Sequence, residues 1–240
     1  RKTGVASDVW RYYLISHRPE TSDSEFNWDS FISANNNLLL KNLGNFVSRV
    51  VKFVNSKHFN NIVPDYTQYH EPSFDTWRRQ VDLLLSEYIQ KLDAVKIRGA
   101  LSTVLAISQH GNFFLQSNGL DNKLAEREPL KCAAVVGLAL NLIHLLSSLI
   151  SPYMPDTATS MNAQLRAEPL AIPDHWAADT VKPGHQIGKA VYLFSNIKPE
   201  KGEEWRELFG GQKAERVKEE EAARKAAKKA ATKDGKDIRR

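Results

Sequence analysis

The sequence predicts an all-α protein, a helix bundle followed by a basic helical tail. Three observations predict it. Apolar residues recur at three- and four-residue steps through long stretches. Prolines, capping residues and an Asn-Gly pair punctuate those stretches at helical lengths. The period-two alternation of strands is scarce. At 240 residues, 42% of them hydrophobic, the chain can bury a proper core and has room for one domain or two.

Residues 9–17 place apolar side chains at helical spacing, and Arg18-Pro19 ends that run because a residue before proline avoids the helical region. Ser22, Asp23, Ser24 and Asp29 form a capping-rich approach to a long amphipathic run over about 28–57. There Phe31, Leu38, Leu39, Leu43, Phe46, Val47, Val50, Val51 and Val54 make one buried stripe. Pro64 and Pro72 bracket a loop. Ser73 is the expected N-cap of a helix over 74–92 with Trp77, Val81, Leu84, Leu85, Tyr88 and Ile89 on its apolar face. Asp93 is expected to cap the next helix, 95–116, in which Ile97, Leu101, Val104, Leu105, Ile107, Phe113 and Phe114 point inward and Asn118-Gly119 gives the stop. An apolar helix near 129–151 and a short one at 156–165, begun at Pro155 or Asp156, follow. The short apolar run 191–194 suits an extended segment packed back on the bundle.

Several classes are disfavoured. The stretch CAAVVGLALNLIHLLSSLI at 132–150 approaches the length of a membrane span, but Asn141, His144, Ser147 and Ser148 interrupt it. A helix central to a bundle satisfies such groups against its neighbours, so no membrane partner is expected and His144 is expected as a hydrogen-bonded core histidine. One cysteine, Cys132, permits neither an internal disulfide nor a cysteine-rich zinc site, which fits a reducing compartment such as the cytosol. No signal peptide is visible, and the seven histidines show no metal spacing.

The net charge of +5 is unevenly placed. Residues 212–240 hold 11 Lys+Arg against 6 Asp+Glu, leaving a neutral body of 22 each. Glu220–Arg224 and Glu221–Lys225 are i,i+4 pairs among alanines, the composition of a solvated helix. That tail is either a solvated charged segment or a clamp on RNA backbone through Arg224, Lys225, Lys228 and Lys229.

Within KNLGNFVSR at 41–49, Asn45 and Arg49 stand one helical turn apart with Lys41 on the same face. An amide that donates and accepts, beside a guanidinium that stacks or pairs with phosphate, suits readout of splayed single-stranded bases. The polar side of any amphipathic helix would look the same.

Three segments separate these readings: DVWRYYLISHRPETSDSEFNW at 8–28, LISPYMPDTATSMNAQL at 149–165 and GHQIGKAVYLF at 184–194. In sequence and order they resemble the carboxy-terminal half of methionyl-tRNA synthetases of the cytosolic eukaryotic type, over roughly residues 1–210. The resemblance implies the anticodon-binding helix bundle of class I aminoacyl-tRNA synthetases at 28–197, the end of a stem-contact element at 1–27 and a charged helical tail at 198–240. It implies tRNA(Met) as partner, with Asn45 and Arg49 facing the CAU anticodon and Lys41, Asn112, Gln116 and Asp121 beside them. Many members stack an anticodon base on a tryptophan that aligns with Asp121. This chain lacks it, leaving His110, Phe113, Phe114 or Arg49 as substitutes.

The resemblance also makes Arg11 and Arg18 candidate stem contacts, with Arg18 expected to pair with Glu20 or Asp23. No catalytic or metal residue is expected here. The HIGH-type and KMSKS-type signatures that hold ATP in class I synthetases do not occur, and GHQIG is no phosphate loop. ATP use and catalysis are therefore expected of an upstream domain of the same protein, and this chain alone is expected to be inactive. The alternative reading is an α-helical protein-interaction module of a translation complex, with the tail docking other translation factors.

Overall fold

The computed structural model describes residues 2–20 and 23–210. Its elements are α1 (Ser7–Ser16), α2 (Trp28–Ser33), a π-helix (Ala34–Gly44), α3 (Asn45–Val54), α4 (Pro72–Asp93), α5 (Ile97–Ser117), α6 (Asn122–Arg127), α7 (Pro129–Ile150), α8 (Pro155–Leu165) and α9 (Glu200–Phe209). Among the described residues the one β pairing is an isolated antiparallel bridge between Ile62 and Gln186. The chain is all-α, as its periodicity requires. The candidate clamp residues Arg224, Lys225, Lys228 and Lys229 lie outside the described residues.

Contacts divide the described residues into two units, those within 2–25 with 33–196, and 26–32 with 197–210. The first is built around α7. Every residue of this helix from Cys132 to Ile150 is buried, so the most apolar segment is the core of a bundle. Its polar groups are all paired. Asn141 donates to the Gly137 carbonyl at 2.9 Å and accepts from the Val181 amide at 2.8 Å. His144 bridges Thr180 Oγ1 and the Glu168 carbonyl, both at 2.9 Å. A buried polar group without a partner costs about 1–3 kcal/mol, so these pairs tie the 168–181 segment to the core helix.

Helix α1 is held at the α7–α8 corner. The buried Asp8 carboxylate accepts from the Thr157 amide at 2.7 Å and its hydroxyl at 2.8 Å, capping α8 from another helix. Arg11 donates to the Tyr153 and Pro152 carbonyls at 2.8 and 3.1 Å. The second unit gathers Phe26, Trp28, Phe31 and Trp205. Trp28 meets Phe26 edge-on at 4.7 Å and lies 5.2 Å from Trp205, while Arg206 pairs with Asp29.

The expected helix over 28–57 differs from the structure in its middle. Residues 34–44 form i→i+5 bonds, and the Asn45 amide reaches back to the Leu40 carbonyl. Burial follows that wider turn, recurring at Ala34, Leu39 and Gly44. Leu38, expected in the buried stripe, is consequently 46% exposed. Other local expectations need correction. Glu71 precedes α4, with Pro72 in its first turn, and Ser73 donates its hydroxyl to Glu71 where a cap was expected. Asp93 ends α4, and Lys96 precedes α5. Val95 lies between them with φ of +57°. The short helices α6 and α9 had no clear apolar period to announce them.

Candidate nucleic-acid interface

The functional candidates converge where the π-helix and α3 pack against α5. Asn42 donates to the Leu105 carbonyl at 2.9 Å, and Asn112 donates to the Asn42 carbonyl at 3.0 Å. Asn45 donates to Asn112 Oδ1 at 3.0 Å. This amide ladder fixes two helices in register and leaves Asn45 Oδ1 available as an acceptor. Close packing beneath it depends on Gly111, since a Cβ there would lie 2.6 Å from the buried Phe46 ring.

The ladder floors a groove of about 360 Å³ lined by Asn37, Leu38, Lys41, Asn42, Asn45, Arg49, Gln109, Asn112, Phe113 and Gln116. Five of the six expected base-reading residues, Lys41, Asn45, Arg49, Asn112 and Gln116, are thus brought together. Lys41 is steadied by Asn37 at 3.0 Å. Arg49 has no hydrogen bond or ion pair among the described residues, so its guanidinium is available for a stack or a phosphate.

Asp121 is the exception. Its carboxylate caps α6, accepting from the Leu124 amide at 2.8 Å, and it does not line the groove. A side chain committed to a helix terminus is a poor reader of bases. The two adjacent phenylalanines also part. Phe114 is buried and stacks on Trp77 at 4.0 Å, whereas Phe113 is 56% exposed and lines the groove. Consecutive helical residues diverge by about 100°, so the two rings face different surroundings. Of the four candidate flat faces, Phe113 and Arg49 line the groove. His110 is half-buried, with its carbonyl accepting from Trp77 Nε1 at 3.2 Å.

Asn37, Asn42 and Gln109 were missed. The signal for Asn37 and Gln109 was present in the polar positions 109, 112 and 116 of one helix and 37, 41, 45 and 49 of the other, which recur at helical steps, whereas Asn42 lies outside both series. The candidate stem contacts Arg11 and Arg18 both lie on the surface. Arg11 is engaged with carbonyls, as above. Arg18 is exposed and forms no ion pair with Glu20 or Asp23 among the described residues, and Glu20 accepts from the Arg98 amide at 3.1 Å. No group of three or more His, Cys, Asp and Glu among the described residues is arranged to hold a metal.

With this geometry in hand, residues 63–214 match the family described as the anticodon binding domain of methionyl tRNA ligase, and residues 2–51 match the class I tRNA synthetases of the methionine type. The cytoplasmic methionine–tRNA ligase of Saccharomyces cerevisiae is 43% identical over 210 residues, covering 88% of this chain and 28% of the relative. The human cytoplasmic enzyme is 38% identical over 217 residues, 88% of this chain and 24% of the relative. The chain thus spans about a quarter of the length of these relatives. The apo Mycobacterium tuberculosis methionyl-tRNA synthetase superposes with a TM-score of 0.71 at 20% identity, over 81% of this chain and 40% of that one, which shows the shared fold.

Proposed function

The chain belongs to the methionyl-tRNA synthetase family and contains its anticodon-binding domain, and from that premise we propose that it reads the CAU anticodon of tRNA(Met) for a cytoplasmic methionine–tRNA ligase. The whole enzyme would use ATP to activate methionine and transfer it to tRNA. That chemistry belongs to a catalytic domain of the same protein, not to any residue described above. The present residues would hold the anticodon so that the acceptor end reaches the distant active site.

The observation that carries this reading is the groove over the Asn42–Asn45–Asn112 ladder. It combines a preorganised amide pair, an uncommitted guanidinium at Arg49, the Gln116 amide and an exposed ring at Phe113. Those are the elements by which proteins read unstacked bases: hydrogen bonds to base edges and stacking on planar groups. Lys41 lines the groove and would meet phosphate. The basic tail would add nonspecific grip or dock other translation factors.

The test is equilibrium binding of the chain to tRNA(Met) and to the same tRNA with an altered anticodon, across a salt series. Specific readout predicts at least about tenfold weaker binding of the altered tRNA, or roughly 1.4 kcal/mol. Equal affinity with a steep salt slope would leave only a nonspecific electrostatic contact and sink the reading.

A further inference from the structure

A second cleft opens on the other side of Asn45. It encloses about 410 Å³ and is lined by Leu40, Lys41, Gly44, Asn45, Ser48, Tyr192, Leu193 and Phe194. Lys41 and Asn45 line both this cleft and the groove described above. The wall opposite the helix is the 188–195 strap, whose placement is unusually determinate for a segment without secondary structure. Asn55 donates to the Gly188 carbonyl at 2.9 Å and accepts from the Ala190 amide at 2.8 Å. Gln164 Oε1 accepts from the Val191 amide at 2.9 Å, and Asn35 donates to the Ser195 carbonyl at 2.9 Å. Phe194 is buried against Gly44, where a Cβ would come within 3.1 Å of its ring.

Between these anchors Tyr192 is left 69% exposed. Lys52 fixes it from below, donating to the phenolic oxygen at 2.6 Å with its ammonium 4.1 Å from the ring centroid. Tyr192 is thus an exposed ring held in place by anchored backbone and by a lysine. Asn45, Ser48 and Lys52 follow one another at three- and four-residue steps along α3, so Tyr192 stands over the same helical face that presents Asn45.

We propose that the Tyr192 cleft is a second base-binding subsite, in which a loop nucleotide neighbouring the one read at Asn45 stacks on the Tyr192 ring with Lys41 toward its phosphate. This rests on the anticodon reading above. The occupant follows from the chemistry of the walls. Tyr192 offers an exposed flat face and Lys41 in the same lining offers a cation, which together suit a base and the anionic backbone that carries it. Asn45 then stands between two stacking faces, Phe113 and Tyr192, so that adjacent bases are drawn apart to either side of the helix.

The test is a coupling measurement on the whole 240-residue chain with an RNA hairpin bearing CAU in its loop. Tyr192→Phe, which keeps the ring, is expected to bind within about twofold of the parent, while Tyr192→Leu and Tyr192→Gln bind about tenfold more weakly. Replacing loop nucleotides one at a time by abasic ones should then reveal one position at which the Tyr192→Leu penalty vanishes, the signature of a direct contact. Thermal midpoints check that the variants remain folded. Parent-like binding by both non-aromatic variants, an equal loss in Tyr192→Phe, or coupling at no loop position would overturn the proposal while leaving the Asn45 groove intact. Failure of the parent chain to distinguish CAU from an altered loop would overturn the anticodon reading itself.

Discussion

Arg49 and Phe113 face the same groove with different chemistry, and their substitutions separate two contributions to binding. Arg49→Ala is expected to cost about 1–3 kcal/mol of CAU-hairpin affinity, the range for a base stack or bidentate contact. Arg49→Lys should recover little, because a point charge on a flexible stem supplies neither planarity nor a fork. Phe113→Ala should cost a comparable amount and Phe113→Trp none, since any broad π face accepts a base. Titration of each variant with hairpins of CAU and altered sequence reads both effects. An Arg49→Ala protein that still binds CAU with parental affinity would remove that residue from the site. Asp121 predicts the opposite pattern. Asp121→Ala should lower stability by about 0.5–2 kcal/mol through the lost α6 cap and leave hairpin binding unchanged.

The helices hold these side chains in place through contacts that a periodicity argument does not expose. The π-helix shifts which residues of 34–44 face inward, and its last turn carries Lys41, which with Asn45 at the start of α3 lines both clefts. Gly111 allows α5 to approach Phe46. Gly111→Ala is expected to destabilise the fold by about 1–3 kcal/mol, by overpacking a buried ring, and to weaken hairpin binding by spreading the Asn45–Asn112 pair. Chemical denaturation and hairpin titration of the same variant check both. The DVWRYYL segment is tied to the bundle by two of its polar side chains. Its Asp8 and Arg11 are used to fasten α1 to the α7–α8 corner, so Asp8→Ala should cost about 1.5–3 kcal/mol of stability, the range for a hydrogen bond to a charged group. Equilibrium unfolding with an unchanged midpoint would show that this cap carries no weight.

Across the whole molecule, the packing around α7 has a consequence at high pH. Burial, with a smaller contribution from the Asp121 carboxylate, pushes the Cys132 thiol up from 9.0 to about 12. The folded chain therefore holds this proton more tightly than the unfolded chain does. Its contribution to stability is complete below about pH 9 and is lost as the pH rises toward 12. Unfolding midpoints should fall across that window by more in the parent than in Cys132→Ala, and Cys132 should resist thiol reagents at pH 8 until the protein unfolds.

The sequence by itself determined the all-α class, the position of most long helices, the buried nature of α7 with its bonded His144, and the shared helical face of Asn45 and Arg49. Each of these is a local signal: a helical period, a proline, or two polar residues one turn apart. Only the tertiary structure decided which phenylalanine leaves the core, that Asp121 caps a helix and Arg11 binds carbonyls, and that residues 34–44 turn more widely than an α-helix. It alone placed Tyr192, 140 residues beyond Lys52, over the same helical face. The physical reason is that a polar or aromatic side chain is assigned its role by the partner it finds, and those partners lie in other elements. Periodicity along one chain segment records which face is buried, but not what meets it.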